Sequence, residues 1–252
     1  MEIKGKKAVV VGGASGMAKA SAELLRQKGA DIAILDLPTS AGAEVAKDLD
    51  GTFHEVDVLQ DSQVESALAE AVAALGGLHI AVNTAGGGIG KRTLTKEGPH
   101  PIEDFRRTIE LNLIGTFNLN RLQAFHMSKN DPEDEERGVI IDTASIAAFE
   151  GQIGQVAYTA AKAGIAGMML TMARDLGSLG IRTVAIAPSL FSTGLTKGIP
   201  DDFANALTKD AAFPRRLGRA EEYAKLAVAI VENPMLNGSC IRLDGGQRFA
   251  PK

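Results

Sequence analysis

Apolar residues along this chain fall into short β-branched runs separated by stretches of helical period. The runs Lys7 to Val11, Asp31 to Asp36, Thr52 to Val58, Leu78 to Thr84, Val139 to Thr143, Arg182 to Ala187 and Ser239 to Leu243 predict seven strands. Between them, Gly16 to Lys28, Ser40 to Leu49, Ser62 to Leu75, Ile102 to Met127, Gln155 to Leu179 and Ala220 to Glu232 predict helices. Regular alternation of the two means an α/β protein, a single-domain Rossmann-type, doubly wound, parallel seven-stranded sheet with helices on both faces. The first three strands and two helices make a mononucleotide-binding half, and right-handed crossovers put those two helices on one face. Two stretches break the alternation. Gly86 to Pro101 follows the fourth strand, where such sheets present their ligand crevice. The acidic run Asn130 to Glu136 lies at the opposite end and reads as a solvated turn, with a partner surface as the alternative.

With 252 residues, 45% of them hydrophobic, and no composition break, the whole of 1–252 reads as one domain. The apolar run Ala8 to Val11 is far below the roughly 20 residues of a membrane span, so a soluble, cytoplasmic protein without a membrane partner is expected. The single cysteine, Cys240, excludes an intramolecular disulfide and reads as a small buried hydrophobe in the last strand. Net charge −4, no Trp and two Tyr leave neither a basic stripe nor stacking groups for nucleic acid. Four histidines, at 54, 79, 100 and 126, lack ligand spacing, so no metal is expected.

Candidate chemistry sits at three places. The turn Gly12, Gly13, Ala14, Ser15, Gly16 joins a strand to a helix, where backbone can approach a pyrophosphate and the helix directs amides and dipole at it. Twenty residues after Gly16, Asp36 ends the second strand in position to accept adenosine ribose hydroxyls, or it is a strand-end turn residue. It would repel a 2'-phosphate and no Lys or Arg follows it directly, which favours NAD over NADP. Tyr158 and Lys162 share one helix face at i and i+4, so the ammonium could lower the phenol pKa from about 10 toward working pH. Alone, such a pair is more often a solvated helix face. With Ser145 thirteen residues upstream and the glycine turn, it reads as a hydride-transfer site.

These residues resemble the short-chain dehydrogenase/reductase family across essentially the whole chain. Val11 to Ala18 is similar to its TGxxxGxG turn, with Val11 for Thr and Ala18 for the last Gly, and Asn83-Thr84-Ala85-Gly86 is similar to NNAG. The resemblance implies a catalytic tetrad of Asn112, Ser145, Tyr158 and Lys162. Ser145 would hold the substrate oxygen, Tyr158 exchange the proton, Lys162 bind the nicotinamide ribose, and Asn112 hold a water. It implies cofactor contacts from Gly12, Ser15, Gly16, Met17, Asp36, Asp57, Val58, Asn83, Ala85, Gly86, Tyr158 and Lys162. Pro188 to Thr193 resembles PGxxxT, with Ser189 in place of Gly, and adds Pro188, Phe191 and Thr193. A C-terminal substrate lid follows, about 189–218, its mobile part running from Leu195 to Phe213 with Phe203 and Leu207 inside.

Within the family, Leu35 to Pro38, Gly115 to Asn118, Phe149 to Gln155, Phe213 to Gly218 and Asn233 to Gly238 resemble type II 3-hydroxyacyl-CoA dehydrogenases, the 17β-hydroxysteroid dehydrogenase type 10 group. That resemblance implies NAD-dependent oxidation of 3-hydroxyacyl-CoA thioesters in fatty acid metabolism, with Ser145, Gln152 and Tyr158 on the substrate. Lys91, Arg92, Lys96, Arg215 and Arg216 would be placed for CoA phosphates or in solvated loops. The family further implies a homotetramer built through the fourth and fifth helices and the C-terminal region. A hydroxysteroid or other secondary-alcohol dehydrogenase is the alternative, and an NAD-sensing regulator without turnover the remote one.

Overall fold

The computed structural model describes residues 1–193 and 207–251. Seven strands form one wholly parallel sheet: β1 (Lys7–Val11), β2 (Asp31–Asp36), β3 (Thr52–Glu55), β4 (Ile80–Asn83), β7 (Gly138–Thr143), β8 (Ile181–Pro188) and β9 (Cys240–Leu243). Their spatial order is β3-β2-β1-β4-β7-β8-β9. The order reverses between β1 and β4, which run in register from Ala8 opposite Ile80 to Val11 opposite Asn83. Beyond their C-terminal ends the connections leave to opposite sides and a crevice opens.

Alternating side chains on β1 feed two cores. Ala8 and Val10 join Ile32 and Ile34 under α1 (Gly16–Gln27), α2 (Gly42–Asp48) and α7 (Ala220–Glu232). Val9 and Val11 join Ala33 and Leu35 under α3 (Asp61–Leu75) and α5 (Gly115–Met127). α6 (Val156–Leu176) with the 3-10 turn after it is long and apolar enough to cross a membrane, yet Ile165, Met169 and Met172 pack with Ala144, Ala185 and Ala187 in a third core cluster.

Three expectations are corrected or refined. The third strand stops at Glu55, because Asp57 turns the chain with its side chain accepting from Leu59 N (3.0 Å) and its carbonyl from Gln60 N. The long fourth helix spans Ile102 to Met127 as expected, but as α4 (Ile102–Ile109) and α5 continuous through a π-helical turn over Glu110–Ile114. The loop after Gly86 carries a two-stranded ribbon, β5 (Leu94–Thr95) with β6 (Gly98–Pro99).

The acidic run is also more than a solvated turn. Asp134 and Glu135 take the left-handed conformation in a tight reversal closed by Glu133 and Glu136. Glu133 pairs with Lys6, and Glu136 with Arg182 at 2.7 Å, both side chains of the second pair being less than a tenth exposed. Cys240 opens β9 half-buried, and burial pushes its thiol up to about 11.

Candidate active site

The crevice between β1 and β4 is a cleft of about 570 Å³. Gly12 begins its floor in the left-handed conformation (φ 77°). A Cβ there would lie 2.8 Å from Thr84 Oγ1 and 3.1 Å from Ala85 N, so glycine lets the two strand ends close on each other. Ser15 is the N-cap of α1 but makes no side-chain capping bond, and the first turn of α1 holds no acid. The N-terminal amides of this helix are therefore not taken by a cap, which suits a phosphate. On the far side Asp36 is held by Ala14 N at 2.9 Å and Leu37 N at 2.7 Å, its carboxylate tied to the glycine turn itself.

Ser15, Gly16, Met17, Asp36, Asp57, Val58, Ala85, Gly86, Pro188, Phe191 and Thr193 all line this cleft with Gly12. Ser189, the substituted glycine, is not in a positive-φ conformation, so the hydroxymethyl group creates no backbone conflict. The sequence reading missed Leu37, Leu111, Thr143 and Leu190 on the same walls. Only the strand-end position of Leu37 and Thr143 hinted at them.

Ser145, Tyr158 and Lys162 meet at the inner end. Ser145 leaves β7 in extended conformation, starts a 3-10 turn and accepts from Ala147 N at 3.1 Å, leaving its own proton to aim. It is the hydrogen-bonding neighbour of the Tyr158 phenol. Gly88 lies against the Tyr158 ring, with no room for a Cβ. Lys162 Nζ is 5.7 Å from the Tyr158 ring centroid and donates to the Thr143 carbonyl at 2.7 Å. The expected depression of the phenol is thus corrected. Burial raises the Tyr158 pKa, only Ser145 pulls it back, and the buried ammonium, itself lowered to about 8 by desolvation, is engaged behind the ring.

Three other expected residues lie outside the cleft lining. Asn83 does not line the cleft. Its buried Nδ2 faces α5 and shares its two hydrogens among Asn120 Oδ1 (3.0 Å), Gln123 Oε1 (2.9 Å) and Asp142 Oδ1 (2.9 Å), steadying the central strands. Asn112 sits in the π turn with no exposure and also misses the cleft lining. Its Nδ2 donates to the Gly87 carbonyl (2.6 Å) and Thr108 carbonyl (2.9 Å) and its Oδ1 accepts from Gly87 N (3.1 Å). Both amide hydrogens are used, and the side chain holds the loop after Gly86. Gln152 lies in a neighbouring groove with Arg92 and gives its Nε2 to the Ala250 carbonyl at 3.1 Å, because the tail crosses this loop.

Among the expected cations, Lys91 is paired with Asp104 (2.8 Å) and Arg216 with Glu222 (2.6 Å). Arg92, Lys96 and Arg215 are exposed. Most of the expected mobile part of the lid, including Leu195 and Phe203, lies outside the described residues. Of the rest, Leu207 is partly buried, its carbonyl accepting from Gln247, while Phe213 is exposed. No group of three or more potential metal ligands occurs among the described residues.

The chain is similar to known dehydrogenases along nearly its whole length. A family model described as "Enoyl-(Acyl carrier protein) reductase" matches residues 12–248. The human protein "3-hydroxyacyl-CoA dehydrogenase type-2" is 49% identical over 99% of this chain and 97% of its own. A crystal structure of 3-hydroxyacyl-CoA dehydrogenase type-2 from Mycobacterium avium superposes with a TM-score of 0.94 at 38% identity, covering all of both chains. A 7α-hydroxysteroid dehydrogenase, solved with NADH and 7-oxo glycochenodeoxycholic acid, superposes with a TM-score of 0.88 at 28% identity, over all of this chain and 97% of the other.

Proposed function

This chain belongs to the short-chain dehydrogenase/reductase family, and on that premise we propose that it interconverts 3-hydroxyacyl-CoA and 3-ketoacyl-CoA thioesters with NAD. It is an oxidoreductase of small molecules that uses a nicotinamide cofactor. The observation that carries the reading is the single cleft in which a glycine turn and Asp36 stand at one end and Ser145, Tyr158 and Lys162 at the other. When bound, the nicotinamide carries the hydride. Gly12, Ser15, Gly16 and Met17 hold the diphosphate against the N-terminus of α1, with Asp57, Val58, Ala85, Gly86, Pro188, Phe191 and Thr193 forming the remaining walls. Asp36 accepts ribose hydroxyls; its carboxylate, with Leu37 and Pro38 following, supports NAD over NADP.

Ser145 donates to the substrate oxygen and holds it at the Tyr158 hydroxyl, which gives the proton to a ketone or takes it from an alcohol. Lys162, held on the Thr143 carbonyl at 2.7 Å beside the Tyr158 ring, is the residue that would hold the nicotinamide ribose. Exposed Arg92, Lys96 and Arg215 are the cations we assign to CoA phosphates, since Lys91 and Arg216 are already paired. Exposed Ile114, Phe117 and Phe125 at and after the π turn, with Val156 and Leu170 on α6, support a homotetramer, to be checked by light scattering.

The substrate assignment is tested by comparing kcat/KM for acetoacetyl-CoA with that for a truncated thioester lacking the nucleotide. The full thioester should be strongly preferred, and the gap should narrow at high salt and in Arg92→Ala/Arg215→Ala. Equal values would move the assignment to a hydroxysteroid or simple secondary alcohol.

A further inference from the structure

Behind the cleft, β7 carries Asp142, the one fully enclosed acid among the described residues. Its oxygens are fixed by amides, Oδ1 by Asn83 Nδ2 at 2.9 Å from β4 and Oδ2 by Asn120 Nδ2 at 2.6 Å from α5. Asn120 also leans on Met172 of α6, and Gln123 closes the cluster by donating to Asn83 Oδ1 at 2.8 Å. The next residue, Thr143, gives its carbonyl to Lys162 Nζ, and its hydroxyl bonds the Asn83 carbonyl and the Tyr223 hydroxyl of α7. One peptide thus lies between a fully enclosed carboxylate and an almost fully enclosed ammonium. A buried charge persists only when paired, and the amides can orient Asp142 but carry no opposite charge.

We propose that Asp142 is a positioning residue, the fixed counter-charge that keeps Lys162 protonated and poised behind Tyr158. The inference rests on the role given to Lys162 above. Titratable groups facing Asp142 are few. α6 brings Lys162 and α7 brings Tyr223, while β4 and α5 bring only amides and β8 places Ala185 opposite it. Burial moves the two partners in opposite directions, Asp142 up to about 6 and Lys162 down to about 8, and each opposes the other's displacement. The carboxylate's help is therefore present above about pH 6 and absent below it.

The experiment follows NADH affinity by fluorescence across pH in wild type, Asp142→Asn, Lys162→Met and the double variant, with thermal melts as the check on folding. Lys162 must be charged to bind, so affinity falls as pH rises through its pKa. Asp142→Asn should move that fall toward acid by about one pH unit. The two proteins should converge below about pH 6, where the wild-type carboxyl is protonated. In the Lys162→Met background Asp142→Asn should change nothing further. An unshifted profile in a folded Asp142→Asn protein, or an equal loss with and without Lys162, overturns the proposal. If Lys162→Met itself binds NADH and turns over normally, the lysine assignment falls and the proposal with it, whereas an impaired Lys162→Met beside an unshifted Asp142→Asn defeats the proposal alone. Should Asp142→Asn fail to fold, carbon-13 NMR of wild type decides. The Lys162 Cε signal, assigned by its loss in Lys162→Met, should titrate in two steps, the smaller with Asp142, and a single step would refute the coupling.

Discussion

Replacing Tyr158 with Phe removes one oxygen and little else. The ring stays against Gly88, and Ser145 keeps its bond from Ala147 N, so the loss of one hydrogen bond should cost the fold only about 0.5–1.5 kcal/mol. Turnover is another matter. A positioned proton donor contributes on the order of 10²–10⁴-fold, and the neighbouring serine hydroxyl is itself too weak an acid to replace it. The barrier should rise by about 3–5 kcal/mol at 25 °C, while NADH affinity, set by the glycine turn, Asp36 and Lys162, stays near wild type. The assay is NADH oxidation by acetoacetyl-CoA at saturating cofactor, with fluorescence titration for affinity. Because burial holds the phenol above its ordinary value, it keeps its proton through neutrality. Wild-type ketone reduction should therefore persist through neutral pH and decline only as alkali removes that proton. The residual rate of Tyr158→Phe should lack that decline. More than about a tenth of wild-type turnover, under ~1.4 kcal/mol of barrier, would refute the assignment.

Asp36→Arg should weaken NAD and improve NADP, read as kcat/KM for both, and a wild-type preference for NADP would overturn the ribose assignment. Gly86→Ala would put a methyl 2.6 Å from Asn112 Oδ1 and 3.4 Å from Lys162 Nζ. Since Asn112 is pinned by three hydrogen bonds, a loss of about 1–3 kcal/mol in stability with weaker NADH binding is expected, and a normal melt with normal binding would show the gap to be slack. Arg182→Met takes the guanidinium from the carbonyls of Ile230 and Leu236 and from Glu136, which keeps the N-terminal ammonium of Met1 at 3.0 Å, while the Val231 and Asn233 carbonyls keep Met1 N and Leu236 N. Urea unfolding should register about 1–3 kcal/mol, and a change below about 0.5 kcal/mol would mean the acidic turn is as solvated as its composition suggests.

Period and punctuation were enough to read the seven strands, because strands buried on both faces need unbroken apolar runs and glycines end them. Gly12, Gly16 and Asp36 could be read as a nucleotide pocket because backbone approach and a strand-end acid are local requirements. What the sequence hid were side chains whose partners lie far along the chain. Asn83 is drawn away from the cleft by Gln123 and Asp142, Gln152 is taken by Ala250, and Glu136 by Arg182. The π turn at Asn112 was equally invisible, since one widened turn leaves the apolar periodicity of a long helix nearly intact. Lys162 shared a face with Tyr158 as the i, i+4 spacing requires, but spacing could not reveal that the Thr143 carbonyl claims its ammonium.

The half-buried Cys240 has a practical consequence. With its thiol pushed up to about 11, a fraction on the order of 10⁻⁴ is thiolate at neutral pH, so maleimide reagents will find it a poor target. As the chain has no other cysteine, the native protein is already close to a cysteine-free background for labelling. Single cysteines introduced at Leu94 on the ribbon or at Phe213, respectively 69% and 84% exposed, could carry a fluorophore pair without removing Cys240. The distance between these two dyes, followed as NADH and thioester are added, would give a direct solution record of movement around the cleft.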